Sequence, residues 1–176
     1  NLILAYVNAK DLVGAENALH RALADQTVQP SEFYVTVLLH AYAAQSNVTG
    51  AERVFAFVQQ RAPGLVTTLL WNILLSAHTH TSGAPSALTV LSRMRACGIQ
   101  PDTISYNTVL GAYARAADGP GAEALLSEML QQGLHPDVTT RTALVSAWAR
   151  AGDPVKAKLA FSSFASLAGA GPATVT

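Results

Sequence analysis

Apolar residues recur at helical spacing in two short segments of the stretch 103–137. The first segment carries Ile104, Val109, Leu110, Tyr113 and Ala114, and the second carries Ala122, Leu125, Leu126, Met129 and Leu130. Steps of three and four residues place side chains on one face of a helix. Gly119 and Pro120 separate the two segments, and Gly133 and Pro136 end the second one. The pattern predicts a pair of amphipathic helices, and neither of them can bury its apolar face alone.

The same pattern stands one step of 35 residues earlier in the chain. The corresponding pairs are Trp71-Asn72 with Tyr106-Asn107, Ala87 with Ala122, Met94 with Met129, and Pro101-Asp102 with Pro136-Asp137. Two helices per unit at this period are typical of a solenoid, in which each unit is covered by its neighbours. We therefore predict an all-α fold, an α-solenoid of helix-turn-helix repeats of about 35 residues each.

The period divides the whole chain into repeats. Their predicted bounds are 1–31, 32–67, 68–102, 103–137 and 138–173, and residues 174–176 match the start of a further repeat. The first repeat has lost its opening, and the chain does not begin with Met. We expect the sequence to be an internal fragment of a longer array.

Composition restricts the function classes. Charged residues make up 12% of the chain and the formal net charge is zero, which argues against strong non-specific attraction to nucleic acid. The single cysteine, Cys97, excludes an internal disulfide. No apolar run approaches the roughly 20 residues that span a bilayer, so we expect no membrane partner.

The sequence offers no motif for catalysis or for a metal. The acidic residues form no cluster on one helix face, and neither Cys97 nor the serines have a histidine partner in any motif. His78 and His80 lie two apart on a predicted helix, so they face different directions. We expect no metal, no cofactor, no small-molecule substrate and no enzymatic activity in this chain. If the full protein is an enzyme, we expect its activity in another domain.

The stretch 103–137 resembles a pentatricopeptide repeat. Its length, Tyr106-Asn107-Thr108, Tyr113, Ala122, Met129 and the exit Gly133-Leu134-His135-Pro136-Asp137 match the positions of that family. The alternative family is the tetratricopeptide repeat, which has 34 residues and a Trp…Leu-Gly…Tyr pattern. The resemblance implies a right-handed superhelix that binds single-stranded RNA, about one nucleotide per repeat. It also implies a mitochondrial or chloroplast protein.

The family pattern assigns a role to particular positions of each repeat. The fifth and last residues select the base, which designates Asn72 with Asp102 and Asn107 with Asp137. An Asn–Asp pair implies uridine, with cytidine next. The second residue stacks on the base, and the thirteenth meets the phosphate. The stacking residues are then Leu69, Ile104 and Thr139, and the phosphate-binding residues are His80, Arg115 and Arg150. Positions two, five, nine and thirteen share one helix face.

Two repeats depart from this pattern, and simpler roles remain open. The repeat 32–67 has Thr36 with Thr67, and the repeat 138–173 has Thr142 with Ala173. The two asparagines could simply tie the start of a helix, and the arginines could be solvated helix ends that favour cations. Four aromatic residues share one repeat position and are expected to pack between helices; they are Tyr6, Tyr42, Tyr113 and Trp148.

Three hypotheses for the function follow. The first is a single-stranded RNA-binding array that acts on an organellar transcript in its stability, processing or translation. The second is a structural subunit of a large ribonucleoprotein such as an organellar ribosome, bound to ribosomal RNA or to other protein subunits. Neutral charge and irregular outer repeats favour this second hypothesis over a free sequence-specific binder. The third is the RNA-recognition arm of a processing enzyme whose catalytic domain lies outside this chain.

Overall fold

The computed structural model describes residues 2–24 and 31–168, with side chains as far as residue 162. All of the regular secondary structure in these described residues is helical, which confirms the all-α prediction. The α-helices are α1 (Leu2–Asn8), α2 (Leu12–Ala24), α3 (Glu32–Ala44), α4 (Val48–Arg61), α5 (Thr68–Thr81), α6 (Gly83–Ala96), α7 (Thr103–Arg115), α8 (Gly119–Gln131), α9 (Val138–Arg150) and α10 (Pro154–Ala168). The predicted repeat end at Ala173, and the further repeat at 174–176, lie outside the described residues.

The chain forms two compact units, residues 1–101 and residues 102–176. In the first unit α1 packs on α2, α3 on α4 and α5 on α6, and α3 also packs on α5. Its core is made of apolar side chains such as Leu38, Leu74 and Phe55, with the ring of Phe55 edge-on to Trp71 at 4.5 Å between centroids. These contacts cover the apolar faces that the sequence pattern predicted.

The second unit contains α7 to α10. Helix α7 packs on α8 and α9, and α9 packs on α10. Tyr106, Leu110 and Met129 are fully buried between these helices. The first helices of successive pairs, α7 and α9, therefore lie side by side, so residues at equivalent positions of these two helices come close together.

Helix ends follow the predicted signals. Gly133 and Gly152 have φ angles of 74° and 81°, the left-handed conformation that ends a helix and suits glycine. Asp153 then caps α10, because its Oδ1 accepts from the backbone N–H of Lys156 at 2.9 Å. Helix α8 begins at Gly119, which the sequence pattern placed between the two helices, because Asp118 caps it through the N–H of Gly121 at 2.8 Å.

The exit from α4 is a short 3₁₀ helix, Pro63–Leu65, with Pro63 in its first position. Proline suits that position because a backbone N–H there would have no acceptor within the helix, so its absence costs no hydrogen bond.

The four aromatic residues pack between helices, as predicted. A Cβ atom added at Gly50 would lie 2.4 Å from the ring of Tyr42, and one added at Gly121 would lie 2.3 Å from Tyr113. The same contact joins Tyr6 with Gly14, whereas Trp148 on α9 meets Gly119 of α8 in the preceding helix pair. Helix backbones can approach an aromatic ring this closely only where there is no side chain. These rings therefore fix helix spacing.

One sequence-based expectation about serine is wrong. Ser86 has a histidine partner, since its Oγ lies 2.6 Å from Nδ1 of His78. The other ring nitrogen, Nε2, lies 2.8 Å from Glu52 Oε1 and must carry the proton, because a carboxylate only accepts. Arg93 also binds the carboxylate of Glu52 through both of its terminal nitrogens. This network joins α4, α5 and α6, which no motif in the sequence indicates.

Within the described residues, no helix is long and apolar enough to cross a bilayer. The same part of the chain contains no group of three or more potential metal-binding side chains.

Candidate nucleic-acid interface

The structure joins Asn107 and Asp137, which the sequence pairs as fifth and last residues of one repeat. Nδ2 of Asn107 donates to Oδ1 of Asp137 at 3.0 Å and to Oδ2 at 3.2 Å. Asn107 lies on α7, and Asp137 is the N-cap of α9. The contact exists because α7 and α9 pack side by side in the second unit.

Helix capping holds the carboxylate of Asp137 in place. Its Oδ1 accepts from the backbone N–H of Thr140 at 2.8 Å, and the backbone N–H of Asp137 donates to Thr140 Oγ1 at 3.0 Å. This reciprocal pair is a capping box, which satisfies two backbone donors at the start of the helix. The capping box therefore fixes the position of the Asp137 carboxylate independently of its contact with Asn107.

The hydrogen bonds also fix which way the amide of Asn107 points. A carboxylate can only accept, so the group that faces Asp137 must be the NH₂. The amide oxygen then faces Thr140, whose Oγ1 donates to Asn107 Oδ1 at 2.6 Å. Both ends of the amide are thus held by groups at the start of α9.

Asp137 stays ionised in this setting. Partial burial raises the pKa of its carboxyl group, but hydrogen bonds from Thr140 and from Asn107 outweigh that effect. The pKa therefore lies below the ordinary value for aspartate, since these donors stabilise the charged form. The negative charge strengthens the hydrogen bond that orients the amide.

An open cleft of about 300 Å³ borders this pair. It is lined by Ile104, Asn107, Thr108, Asp137 and Thr139. Ile104 is 62% exposed and Thr139 is also exposed, so both can contact a molecule in the cleft. An apolar side chain beside a polar group that both donates and accepts suits a flat ring with a polar edge.

The other predicted site residues lie on the expected helices. Asn72 is largely buried in α5, at 9% exposure, whereas Leu69 on the same helix is 50% exposed. Asp102 is the N-cap of α7 and forms a capping box with Ser105. The three predicted phosphate-binding residues are exposed near the ends of their helices; they are His80 on α5, Arg115 on α7 and Arg150 on α9. Their roles in binding stay predictions.

The irregular repeats use their positions differently. Oγ1 of Thr67, the last residue of the repeat 32–67, donates to Glu32 Oε1 at 2.5 Å. Thr142, at the fifth position of the next irregular repeat, donates to the carbonyl of Val138 in its own helix at 2.8 Å. Ala173 lies outside the described residues. The two threonine hydroxyls are thus engaged within the fold.

Thr140 is a site residue that the sequence-based prediction missed. Its signal is present in the sequence: Asp137-x-x-Thr140 repeats Asp102-x-x-Ser105 at a distance of 35 residues. An aspartate followed three residues later by a hydroxyl residue is a capping pattern. What the sequence does not show is that this hydroxyl also contacts the amide of Asn107.

Comparisons with known families and structures agree with the repeat pattern. Residues 101–150 match the model of the PPR repeat family, and residues 66–115 match the model of the pentatricopeptide repeat domain. No curated protein sequence matches the chain.

Two solved structures have a similar fold. The crystal structure of the pentatricopeptide repeat protein PPR10 from maize matches with a TM-score of 0.75 and 24% identity, over 95% of this chain and 24% of that chain. The PPR domain of Arabidopsis thaliana protein-only RNase P 1 in complex with tRNA matches with a TM-score of 0.66 and 20% identity, over 94% of this chain and 86% of that chain. The chain thus spans about a quarter of the length of the maize protein.

The maize protein has also been solved with RNA. Its structure in complex with an 18-nt psaJ RNA element matches this chain with a TM-score of 0.72 and 23% identity, over 95% of this chain and 24% of that chain.

Proposed function

Because the chain is a pentatricopeptide repeat protein, we propose that it binds single-stranded RNA, about one base per repeat. The observation that carries the proposal is the fixed amide of Asn107 at the edge of an open cleft. The similarity of the fold to two structures with bound RNA supports the same class of ligand.

In the proposed complex a base enters the cleft edge-first toward Asn107. Ile104 and Thr139 flank its ring, and the amide offers one N–H donor and one acceptor lone pair to its edge. A pyrimidine such as uracil has a matching donor and acceptor side by side. Asn72 and Asp102 are each proposed to select a base, and Leu69 is proposed to stack on one.

Phosphate binding is proposed for His80, Arg115 and Arg150. A basic side chain in each of three successive repeats suits the regular spacing of phosphates along one strand, and it adds affinity without sequence preference. With a formal net charge of zero, the chain has a weak general attraction for nucleic acid, so local contacts of this kind must supply most of the binding.

The proposed setting is a mitochondrion or a chloroplast, where the protein would act on the stability, processing or translation of a transcript. A structural role in a ribonucleoprotein such as an organellar ribosome is the second candidate. It is favoured by the irregular repeats, in which Thr67 contacts Glu32 and Thr142 contacts its own helix. In that role only a short tract of RNA would be read, and other contacts would be with protein.

Ultraviolet crosslinking of the full-length protein in its own organelle, followed by sequencing of the attached RNA, tests the proposal. Crosslinks on a messenger tract with two adjacent pyrimidines support the transcript binder. Crosslinks confined to ribosomal RNA support the structural subunit. An absence of RNA crosslinks, with the protein intact and recovered, contradicts RNA binding.

A further inference from the structure

We propose that Thr140 is a positioning residue that sets which pyrimidine Asn107 prefers; the proposal rests on the RNA binding proposed above. Thr140 is fully buried at the start of α9. Its hydroxyl oxygen lies 2.6 Å from Asn107 Oδ1, the shortest of its contacts, and accepts from the backbone N–H of Asp137 at 3.0 Å. A buried hydroxyl held by a backbone donor has little freedom to turn away.

This hydroxyl supplies the second of two fixed points on the amide. Asn107 has two N–H donors and an oxygen with two lone pairs. Asp137 takes up a donor, and the Thr140 hydroxyl takes up one lone pair. One N–H and one lone pair are left for a ligand. With both ends held, the donor and the acceptor face the cleft in a single order.

The order matters because it distinguishes the two pyrimidines. On the pairing edge of uracil, the acceptor O4 stands beside the donor N3–H. On the edge of cytosine, the donor N4–H stands beside the acceptor N3. An amide in one orientation complements uracil, and the same amide turned over complements cytosine. When Ile104 and Thr139 hold the ring in one position, only the orientation of the amide determines whether uracil or cytosine is preferred.

Asp137 alone gives weaker control than both residues together. With the contact at the nitrogen alone, turning the amide costs its hydrogen bonds to Asp137 and sets its oxygen against the carboxylate. Contacts with a bound cytosine could offset part of that cost. The Thr140 hydroxyl adds to that cost, because turning the amide would break the 2.6 Å hydrogen bond to its oxygen and leave the hydroxyl only the longer contact with Asp137 Oδ1 at 3.0 Å. One neutral hydrogen bond of this kind changes a ratio of affinities by about three- to tenfold.

The test measures the ratio of dissociation constants for two RNAs that differ only in uridine or cytidine at the base read by the repeat 103–137. Thr140→Val keeps the shape of the side chain and removes the hydroxyl. Thr140→Ala also removes the hydroxyl, and alanine favours the helical conformation. We expect either variant to bring the ratio three- to tenfold closer to one. Thr140→Ser keeps the hydroxyl and should restore the ratio, since Ser105 fills the equivalent position in the preceding capping box.

The control is Asp118→Ala, which also removes a helix cap in the same unit but lies at α8. It should lower the melting temperature and leave the base ratio unchanged. Thermal melts of all variants show that the compared proteins are folded at the temperature of the binding assay. A folded Thr140→Val or Thr140→Ala protein with the wild-type ratio overturns the role of Thr140. A wild-type protein that binds neither RNA contradicts the proposed function instead.

Discussion

The carboxylate of Asp137 accepts hydrogen bonds from the amide of Asn107, which lies 30 residues earlier in the chain, at 3.0 and 3.2 Å. The same carboxylate caps α9 through the N–H of Thr140. The Asp137 carboxylate, which is proposed to orient the base-reading amide of Asn107, thus also caps the start of α9. A substitution at Asp137 would disturb both roles, so Asn107 is the cleaner probe of base selection.

Changing both asparagines to threonine should alter base preference without loss of the fold. For Asn72→Thr with Asn107→Thr, we expect the preference to shift from uridine toward purine. Threonine is shorter and lacks the paired donor and acceptor of an amide, which leaves more room at the edge of the cleft. Binding to RNAs that differ at two adjacent bases measures the shift.

Asn17→Thr is the matched control, because Asn17 is exposed on α2 and outside the proposed site. It should leave base preference as in the wild type. If the preference for uridine persists in the double variant, the assignment of the two asparagines is wrong.

The sequence predicted part of this site because the repeat period carries structural information. The resemblance to the pentatricopeptide repeat paired Asn107 with Asp137 as fifth and last residues of one repeat. The packing of α7 beside α9 explains why these two residues are in contact. The contact of the Thr140 hydroxyl was not predicted, because it depends on a side-chain rotamer that the period leaves open.

The sequence pattern could not predict contacts that are not shared between repeats. Glu52, His78 and Arg93 come from different helices and form one network. Their pairing depends on side-chain reach between packed helices, and no spacing rule connects the three residues. For the same reason Ser86 was wrongly expected to lack a histidine partner.

Arg115 is predicted to contribute to RNA affinity through charge alone. Arg115→Ala should weaken binding of all RNA sequences by a similar factor. It should also reduce the slope of log Kd against log salt concentration by about 0.7, the value for one phosphate contact on a single strand. Titrations over a range of salt concentrations, with two unrelated RNA sequences, measure both effects.

Arg61→Ala serves as the control, since Arg61 is an exposed arginine at the end of α4, the second helix of its pair. That variant should keep the wild-type salt slope. An unchanged slope for Arg115→Ala would exclude a phosphate contact at this residue.

The ion pairs of Glu52 predict a loss of stability in acid. Burial raises the pKa of Glu52, but hydrogen bonds from His78 and Arg93 outweigh it and lower the pKa from 4.5 to about 2. A carboxyl group with a lowered pKa stabilises the fold fully above pH 4.5, and this contribution disappears as the pH falls toward 2. At neutral pH, Glu52→Gln should cost roughly 1–3 kcal/mol of unfolding free energy.

Urea unfolding at a series of pH values measures this effect. The difference between the wild type and Glu52→Gln should shrink as the pH falls from 4.5 to 2. Glu123→Gln, at an exposed site on α8, should follow the wild-type curve. Parallel curves for the wild type and Glu52→Gln would show that the network does not stabilise the ionised form.

Gly50 is predicted to be a position where any side chain destabilises the helix pair. A Cβ atom there would lie 2.4 Å from two ring carbons of Tyr42. The ring has little room to move, because it is 2% exposed and its hydroxyl donates to Glu16 at 2.7 Å. Gly50→Ala should therefore lower the unfolding free energy by about 1–3 kcal/mol, the usual cost of overpacking.

The comparison is with Gly64→Ala, where an added Cβ meets nothing within 4 Å. That change should alter stability by no more than about 0.5 kcal/mol, as surface substitutions usually do. Chemical denaturation of both variants gives the two values under the same conditions. If Gly50→Ala is as stable as Gly64→Ala, then α3 and α4 do not approach each other through this contact, and the ring of Tyr42 does not set their spacing.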